Sequence, residues 1–207
     1  MLKPSVGSAG LINMGEMALP GASDFELVAR AQHGDQRAFE KIIERHHDMV
    51  FAVVRSILGD RDEVEDTVQN VFIKIFRGLS GFQGRSKLSS WIYQVTRNEA
   101  LNSAGRYRPE VVPVEDLAGP ESAGPEEMYR DRRLRELLEL YLARLEEPQR
   151  IALNLYYMGE RSYNEIADIM NIPVGTVKTH IHRGKFELRR MMTRRPASGQ
   201  GKEPRNL

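Results

Sequence analysis

Residues 162–190, SYNEIADIMNIPVGTVKTHIHRGKFELRR, leave little freedom in how they can fold. Ser162 followed three residues later by Glu165 is a capping box, so a helix is predicted to start there. Tyr163, Ile166, Ala167, Ile169 and Met170 then recur at helical spacing and form one apolar face. Asn171 tolerates the left-handed conformation that ends a helix, and Pro173 steers Ile172 away from the helical region. The chain must therefore turn within about four residues, the length of a helix-turn-helix connection. In the second helix Val177, Ile181, Gly184 and Leu188 share an inward stripe, while Thr179, His182, Arg183, Phe186 and Arg190 point the other way. Seven Lys or Arg against one Glu lie between Gly175 and Arg195. Such a face suits phosphates and base edges, so the implied ligand is duplex DNA.

The charge balance sharpens this. The 207-residue chain carries a net charge of only +1, so a nucleic-acid surface has to arise from segregation of charge. Segregation is present: the C-terminal helix and tail are basic, whereas Pro109 to Glu127 holds six acidic residues and no basic one. With no cysteine, disulfides and thiolate metal sites are excluded. Residues 1–22 are interrupted by Gly15 and Glu16 and preceded only by Lys3, a poor signal peptide, and read as a disordered tail. No run approaches the ~20 apolar residues of a membrane span, so no membrane insertion and a cytoplasmic location are expected.

Helical patterns account for the rest. Asp24 is expected to cap a first helix with Leu27, Val28 and Ala31 inside, and Gly34-Asp35 to open a second carrying Ala38, Phe39, Ile42, Ile43, Val50, Val53, Val54 and Ile57. After the turn signal Gly59-Asp60, a third helix is predicted from about Asp62 to Leu79 and a fourth from Leu88 to about Gly105. Arg108 to Glu127 changes character, with four Pro and two Gly in place of apolar periodicity, and reads as a flexible linker. Periodicity resumes with Leu134, Leu137, Leu138, Tyr141, Leu142 and Leu145, and Pro148 suits the first turn of the helix through Ile151, Leu153 and Leu155. The expected fold is all-α, with two small helical domains at 23–107 and 128–193, an acidic linker at 108–127 and a disordered basic tail at 194–207.

Two further clusters carry chemistry. On the third helix Val64, Val68, Val71, Phe72 and Ile75 form the buried stripe, opposite Asp62, Asp66, Gln69, Asn70, Ile73 and Arg77. Short acids, amides and an exposed isoleucine make a surface suited to docking a protein, the alternative being an ordinary polar face. From Phe82 to Arg108, the rings Phe82, Trp91, Tyr93 and Tyr107 are interleaved with Arg85, Lys87, Arg97, Arg106 and Arg108, and Asn98 and Asn102 lie one turn apart. Rings stack on unpaired bases, cations meet phosphates and amides read base edges, the requirements of single-stranded nucleic acid. Trp91 with Ile92 and Val95 also fits a core. No histidine pair has the i, i+4 spacing of a zinc helix, and no nucleophile has an activating neighbour by spacing. Neither a metal, a cofactor nor catalysis is expected.

These segments resemble the sigma-70 family, specifically its extracytoplasmic-function (ECF) group, over about Asp24 to Met192. DFELVARAQHGDQRAFEKIIERH is similar to the start of the family's first conserved domain. EDTVQNVFIKIFRGL resembles the helix that docks on the clamp of core RNA polymerase, FQGRSKLSSWIYQVTRNEALN the segment that melts and reads the minus-ten element. LEEPQRIALNLYYMGERSYNEIADIMNIPVGTVKTHIHRGKFELRR resembles the fourth conserved region, which binds the minus-thirty-five element. The resemblance implies that Asp66, Gln69, Asn70, Phe72 and Ile73 dock polymerase. It implies that Phe82, Ser86, Lys87, Arg97, Asn98, Asn102 and Arg106 meet the minus-ten element, with Asn98 capturing a flipped base. Thr176, Lys178, Thr179, His182, Arg183 and Lys185 match the minus-thirty-five contacts. Asn70 stands where an acid is commoner, and Thr179-His180 replaces a frequent Ser-Arg. The implied partners are core RNA polymerase, promoter DNA in duplex and single-stranded form, and an anti-sigma factor, the chain being monomeric when free of them. The rival reading is a stand-alone helix-turn-helix regulator, which would bind palindromic half-sites as a dimer and leave the Asp66–Ile73 and Phe82–Arg108 surfaces without a purpose.

Overall fold

The computed structural model describes residues 21–106 and 126–193, and the two tails and most of the acidic linker lie outside them. The described residues form eight helices and no strand: α1 Asp24–Gln32, α2 Gln36–Leu58, α3 Glu63–Leu79, α4 Leu88–Arg106, α5 Glu126–Ala143, α6 Glu147–Tyr157, α7 Tyr163–Met170 and α8 Val174–Thr193. The all-α expectation holds. None of these helices is long and apolar enough to cross a membrane. Two compact units divide inside α2, one ending at Arg45 and the other beginning at His46.

In the first unit Ser23, not Asp24, caps α1. The Glu26 amide donates to Ser23 Oγ at 3.3 Å, and the Ser23 amide donates to the Glu26 carboxylate at 2.7 Å. A serine followed three residues later by Glu offers a reciprocal pair of bonds that Asp24 cannot match. Asp24 becomes the first helical residue, and its carboxylate accepts from Arg45 at 2.6 Å. Leu27 and Val28 are buried and Ala31 only half-buried. Gly34 takes φ +87° in the turn, where a side chain would be strained. Asp35 then starts α2 as expected: it accepts from the Ala38 amide at 3.2 Å and pairs with Arg30 at 2.6 Å. The Arg30 bond holds the Asp35 carboxyl below its ordinary range.

In the second unit α3 packs on α4. Val64, Thr67, Val68, Val71, Ile75 and Leu79 are buried from one side, Leu88, Ile92, Tyr93, Thr96 and Ala100 from the other. Glu99 is buried in α4 and bonds Lys74 of α3, a pairing that a buried carboxylate requires. Phe72, expected in the buried stripe, is half-buried, its ring stacked at 6.2 Å on His47.

The C-terminal helices assemble around α8, which packs on α6 and α7. Pro148 sits in the first turn of α6, as predicted, and Ile151, Ala152, Leu153, Asn154 and Leu155 are buried. Gly184 lets α8 approach α6, since a Cβ there would stand 2.7 Å from Leu153 Cδ1. Along α5 the leucine stripe is not inward: Leu134, Leu137 and Leu138 are exposed, while Leu145 just beyond the helix is buried. Periodicity defined a face there without defining anything to cover it.

The helix-turn-helix closes as its sequence requires. The Ser162 amide donates to the Glu165 carboxylate at 2.9 Å, the Glu165 amide returns a bond to Ser162 Oγ at 3.3 Å, and Asn171 ends α7 at φ 54°. Donation from the Ser162 hydroxyl and backbone N–H holds the Glu165 carboxyl below its ordinary range. A carboxyl depressed in the folded state contributes stability above its unfolded pKa, which is lost as pH falls through the folded value. Ser162→Ala should therefore cost ~1 kcal/mol near neutrality, and clearly less near about pH 3, in thermal or urea unfolding. An equal cost at both pH values would remove the charged carboxylate from the cap.

Candidate nucleic-acid interface

Three surfaces carry the predicted site residues. On α8, Thr179, His182, Arg183, Phe186 and Arg190 are exposed, and Val177, Ile181 and Gly184 are buried behind them. The Thr179 hydroxyl donates to the Gly175 carbonyl oxygen at 2.9 Å. Lys178 is exposed beside this face and Thr176 half-buried. Lys185 is not brought to it. Its ammonium lies 5.7 Å from the centre of the Tyr157 ring, and the Tyr157 hydroxyl raises its pKa. There it borders an apolar groove formed by Leu138, Leu142, Leu153, Tyr157 and Leu188. The exposed face of α8 thus presents Thr179, His182 and Arg183, with Phe186 beside them.

On α4 and the loop before it, Ser86, Lys87, Asn98 and Asn102 are exposed. Phe82 is half-buried and tilted against Trp91, with ring centroids 5.3 Å apart. Trp91 in turn lies over Gly78, where a Cβ would come within 3.1 Å of its ring. The Phe82–Trp91 pair is thus anchored on α3 with Phe82 toward the loop. Tyr93 departs from the interleaved pattern. It is 5 % exposed, its hydroxyl pKa is pushed up by burial, and it shares the buried stripe of Thr96 and Ala100. Tyr107 and Arg108 lie outside the described residues, and Arg106 closes α4 with its side chain likewise outside them. Arg97 is half-buried: its Nε donates to Glu147 at 2.5 Å, which raises the guanidinium pKa further. Lys87 pairs with Asp168 at 2.6 Å.

On α3, Asp66, Gln69, Asn70 and Ile73 are all exposed on one face, Ile73 at 46 %. Phe72 flanks them through its stack on His47. Phe76 is a residue that sequence reasoning missed. It is 64 % exposed and stands one turn from both Phe72 and Ile73, so the patch is more apolar than its predicted members. The i, i+4 spacing from Phe72 carried that signal.

A basic recognition helix, a polar α4 with an anchored aromatic pair and an acid-plus-apolar α3 face together define a DNA-reading protein that also docks on a protein. Residues 42–118 match the family pattern described as Sigma-70 region 2, and residues 135–188 that described as Sigma-70, region 4. The chain is 34% identical over 174 residues to the ECF RNA polymerase sigma-E factor of Escherichia coli (strain K12), covering 79% of this chain and 91% of that protein. It is 30% identical over 176 residues to the ECF RNA polymerase sigma factor SigW of Bacillus subtilis (strain 168), covering 80% and 94%. The structure of CnrH in complex with the cytosolic domain of CnrY shares the fold at a TM-score of 0.60 and 22% identity, over 82% of this chain and 96% of that one. The chain belongs to the ECF group of the sigma-70 family: it is an RNA polymerase sigma factor.

Proposed function

We propose that this chain binds core RNA polymerase through α3 and directs it to promoters through α4 and α8, acting in the cytoplasm without catalysing a reaction itself. Residues 23–107 form the module for polymerase and the minus-ten element, and residues 128–193 the module for the minus-thirty-five element, with 108–127 as the acidic linker between them. Asp66, Gln69, Asn70, Phe72 and Ile73 dock polymerase, joined by Phe76. Thr179, His182 and Arg183 read base edges while Lys178 and Thr176 meet the backbone, the division of labour by which phosphate contacts position a protein and base contacts specify. An anti-sigma factor that covers these surfaces would hold the chain inactive.

The observation that carries this reading is the exposure of Asn98 and Asn102 one turn apart on α4, beside Ser86, Lys87 and the Phe82–Trp91 pair. Amides disfavour mid-helix positions, and here neither is buried for the sake of the core. An already unpaired strand can present a base to such a site at less cost than intact duplex. Asn98→Ala should leave core binding unchanged and lower discrimination at one minus-ten position, or the rate of promoter opening, by about tenfold, the value of a hydrogen bond lost in a dry site. Unchanged discrimination and opening would remove Asn98 from the base-reading role.

A further inference from the structure

The groove beside Lys185 takes its floor from three helices: Leu138 and Leu142 of α5, Leu153 of α6 and Leu188 of α8. Its volume is about 980 Å³, at the upper end of the range for small-molecule sites. Leu138, Tyr157, Met158 and Met192 line it and are between 40% and 57% exposed, so the packing of the helices leaves this apolar surface in water. The polar lining is unevenly matched. Arg55 takes both carboxylates of the groove, Glu139 at 2.9 Å and Asp60 at 3.0 Å. Arg135, Lys185 and Arg189 therefore border the leucines with no carboxylate partner among the described residues.

We propose that this groove binds a free single-chain amphiphile with an anionic head, its acyl tail on the leucine floor and its head against Arg135, Lys185 and Arg189. Seating the tail removes from water both its own methylenes and the side chains that the helices leave uncovered. The two methionines, flexible and polarizable, adjust to its shape. The head is selected by charge. Guanidinium groups with no acid of their own meet an anionic head in a charge-assisted fork, whereas a cationic head would face three like charges. Leu188 lies half a turn round α8 from Thr179, so an occupied groove leaves the exposed Thr179 and Arg183 face open, and the inference stands apart from promoter reading.

Calorimetric titration of the full chain with dodecanoate, kept below its micelle concentration, should show saturable binding at one site. Hexanoate should bind at least about a hundredfold more weakly for the methylenes it lacks, and dodecyltrimethylammonium at least about tenfold more weakly for its reversed head charge. Leu138→Glu places a carboxylate on the floor at an exposed position and should lower dodecanoate affinity at least about tenfold. Leu101→Glu, at an exposed leucine of α4 outside the groove, should leave it unchanged. The double variant Arg135→Gln, Arg189→Gln should narrow the preference for dodecanoate over dodecyltrimethylammonium. In NMR spectra of methyl-labelled methionine, dodecanoate should shift Met158 and Met192 and spare the buried Met49 and Met170. Absence of saturable binding, or equal affinity for the two dodecyl heads, would overturn the proposal. So would equal losses in the two glutamate variants, or binding to anionic phospholipid vesicles with none to monomeric dodecanoate.

Discussion

Ile73→Arg is expected to leave the fold intact and to weaken binding to core RNA polymerase at least ~30-fold, the effect of losing a central apolar anchor of about 2 kcal/mol. The fold should survive because Ile73 is exposed on α3 while Val71 and Ile75 on either side carry the packing against α4. The affinity should fall because an arginine at the centre of the patch adds a charge between Phe72 and Phe76 that docking would have to desolvate. Asp66→Ala, at the acidic end of the same face, should act more weakly and with a salt dependence that Ile73→Arg lacks. Equilibrium binding to purified core polymerase reads both, and circular dichroism confirms that the helices persist. Normal core affinity of Ile73→Arg would move the docking surface off α3.

The second large effect lies where α8 crosses α6. Gly184→Val should lower stability by ~2–3 kcal/mol, the cost of forcing branched carbons into a filled interface. Gly184→Ala should stay within ~1 kcal/mol of the parent. Its Cβ also meets Leu153 Cδ1, but that atom is the end of a side chain bordering the apolar groove, and the gain in helix propensity over glycine offsets the shift by about 1 kcal/mol. Valine gains less propensity and adds two further carbons to a Cβ that already meets Leu153 and Gln149. In thermal unfolding ~2 kcal/mol corresponds to about 4–8 °C for a chain of this size. The variant should lose duplex binding at the minus-thirty-five element before it loses core docking, because α3 and α4 are held by their own core. Equal stability of the alanine and valine variants would show that Leu153 does not limit the crossing.

These two predictions differ in how far the sequence alone could have supplied them. The Ser162–Glu165 box, the Asn171 stop and the inward stripe of α8 are local signals, and each appears in the structure, except that Leu188 at the end of the stripe is only half-buried. The Ser23 cap was missed although Glu26 advertised it, since two good caps stand side by side and only the reciprocal partner separates them. Tyr93 was counted with the surface rings because composition does not give orientation; its spacing to Thr96 and Ala100 does. Contacts between distant segments left no such trace. Nothing near Lys185 in sequence points to Tyr157, and Arg97 is separated by 50 positions from the Glu147 that holds it. Residues on one helix face are legible because the period is fixed by the backbone, whereas the face's partner is fixed only by tertiary packing. The same gap explains α5, whose leucines were legible as a stripe and not as an exposed one.

The most direct test is run-off transcription with purified core RNA polymerase across a pool of promoter fragments, comparing the parent chain with Ile73→Arg and Asn98→Ala. The parent should support transcripts from a defined subset sharing minus-thirty-five and minus-ten elements. Ile73→Arg should support almost none, and Asn98→Ala should start from the same promoters with weaker opening or relaxed minus-ten choice. Absence of transcripts from every fragment together with absence of core binding, or operator binding by the free chain as a dimer, would contradict the account.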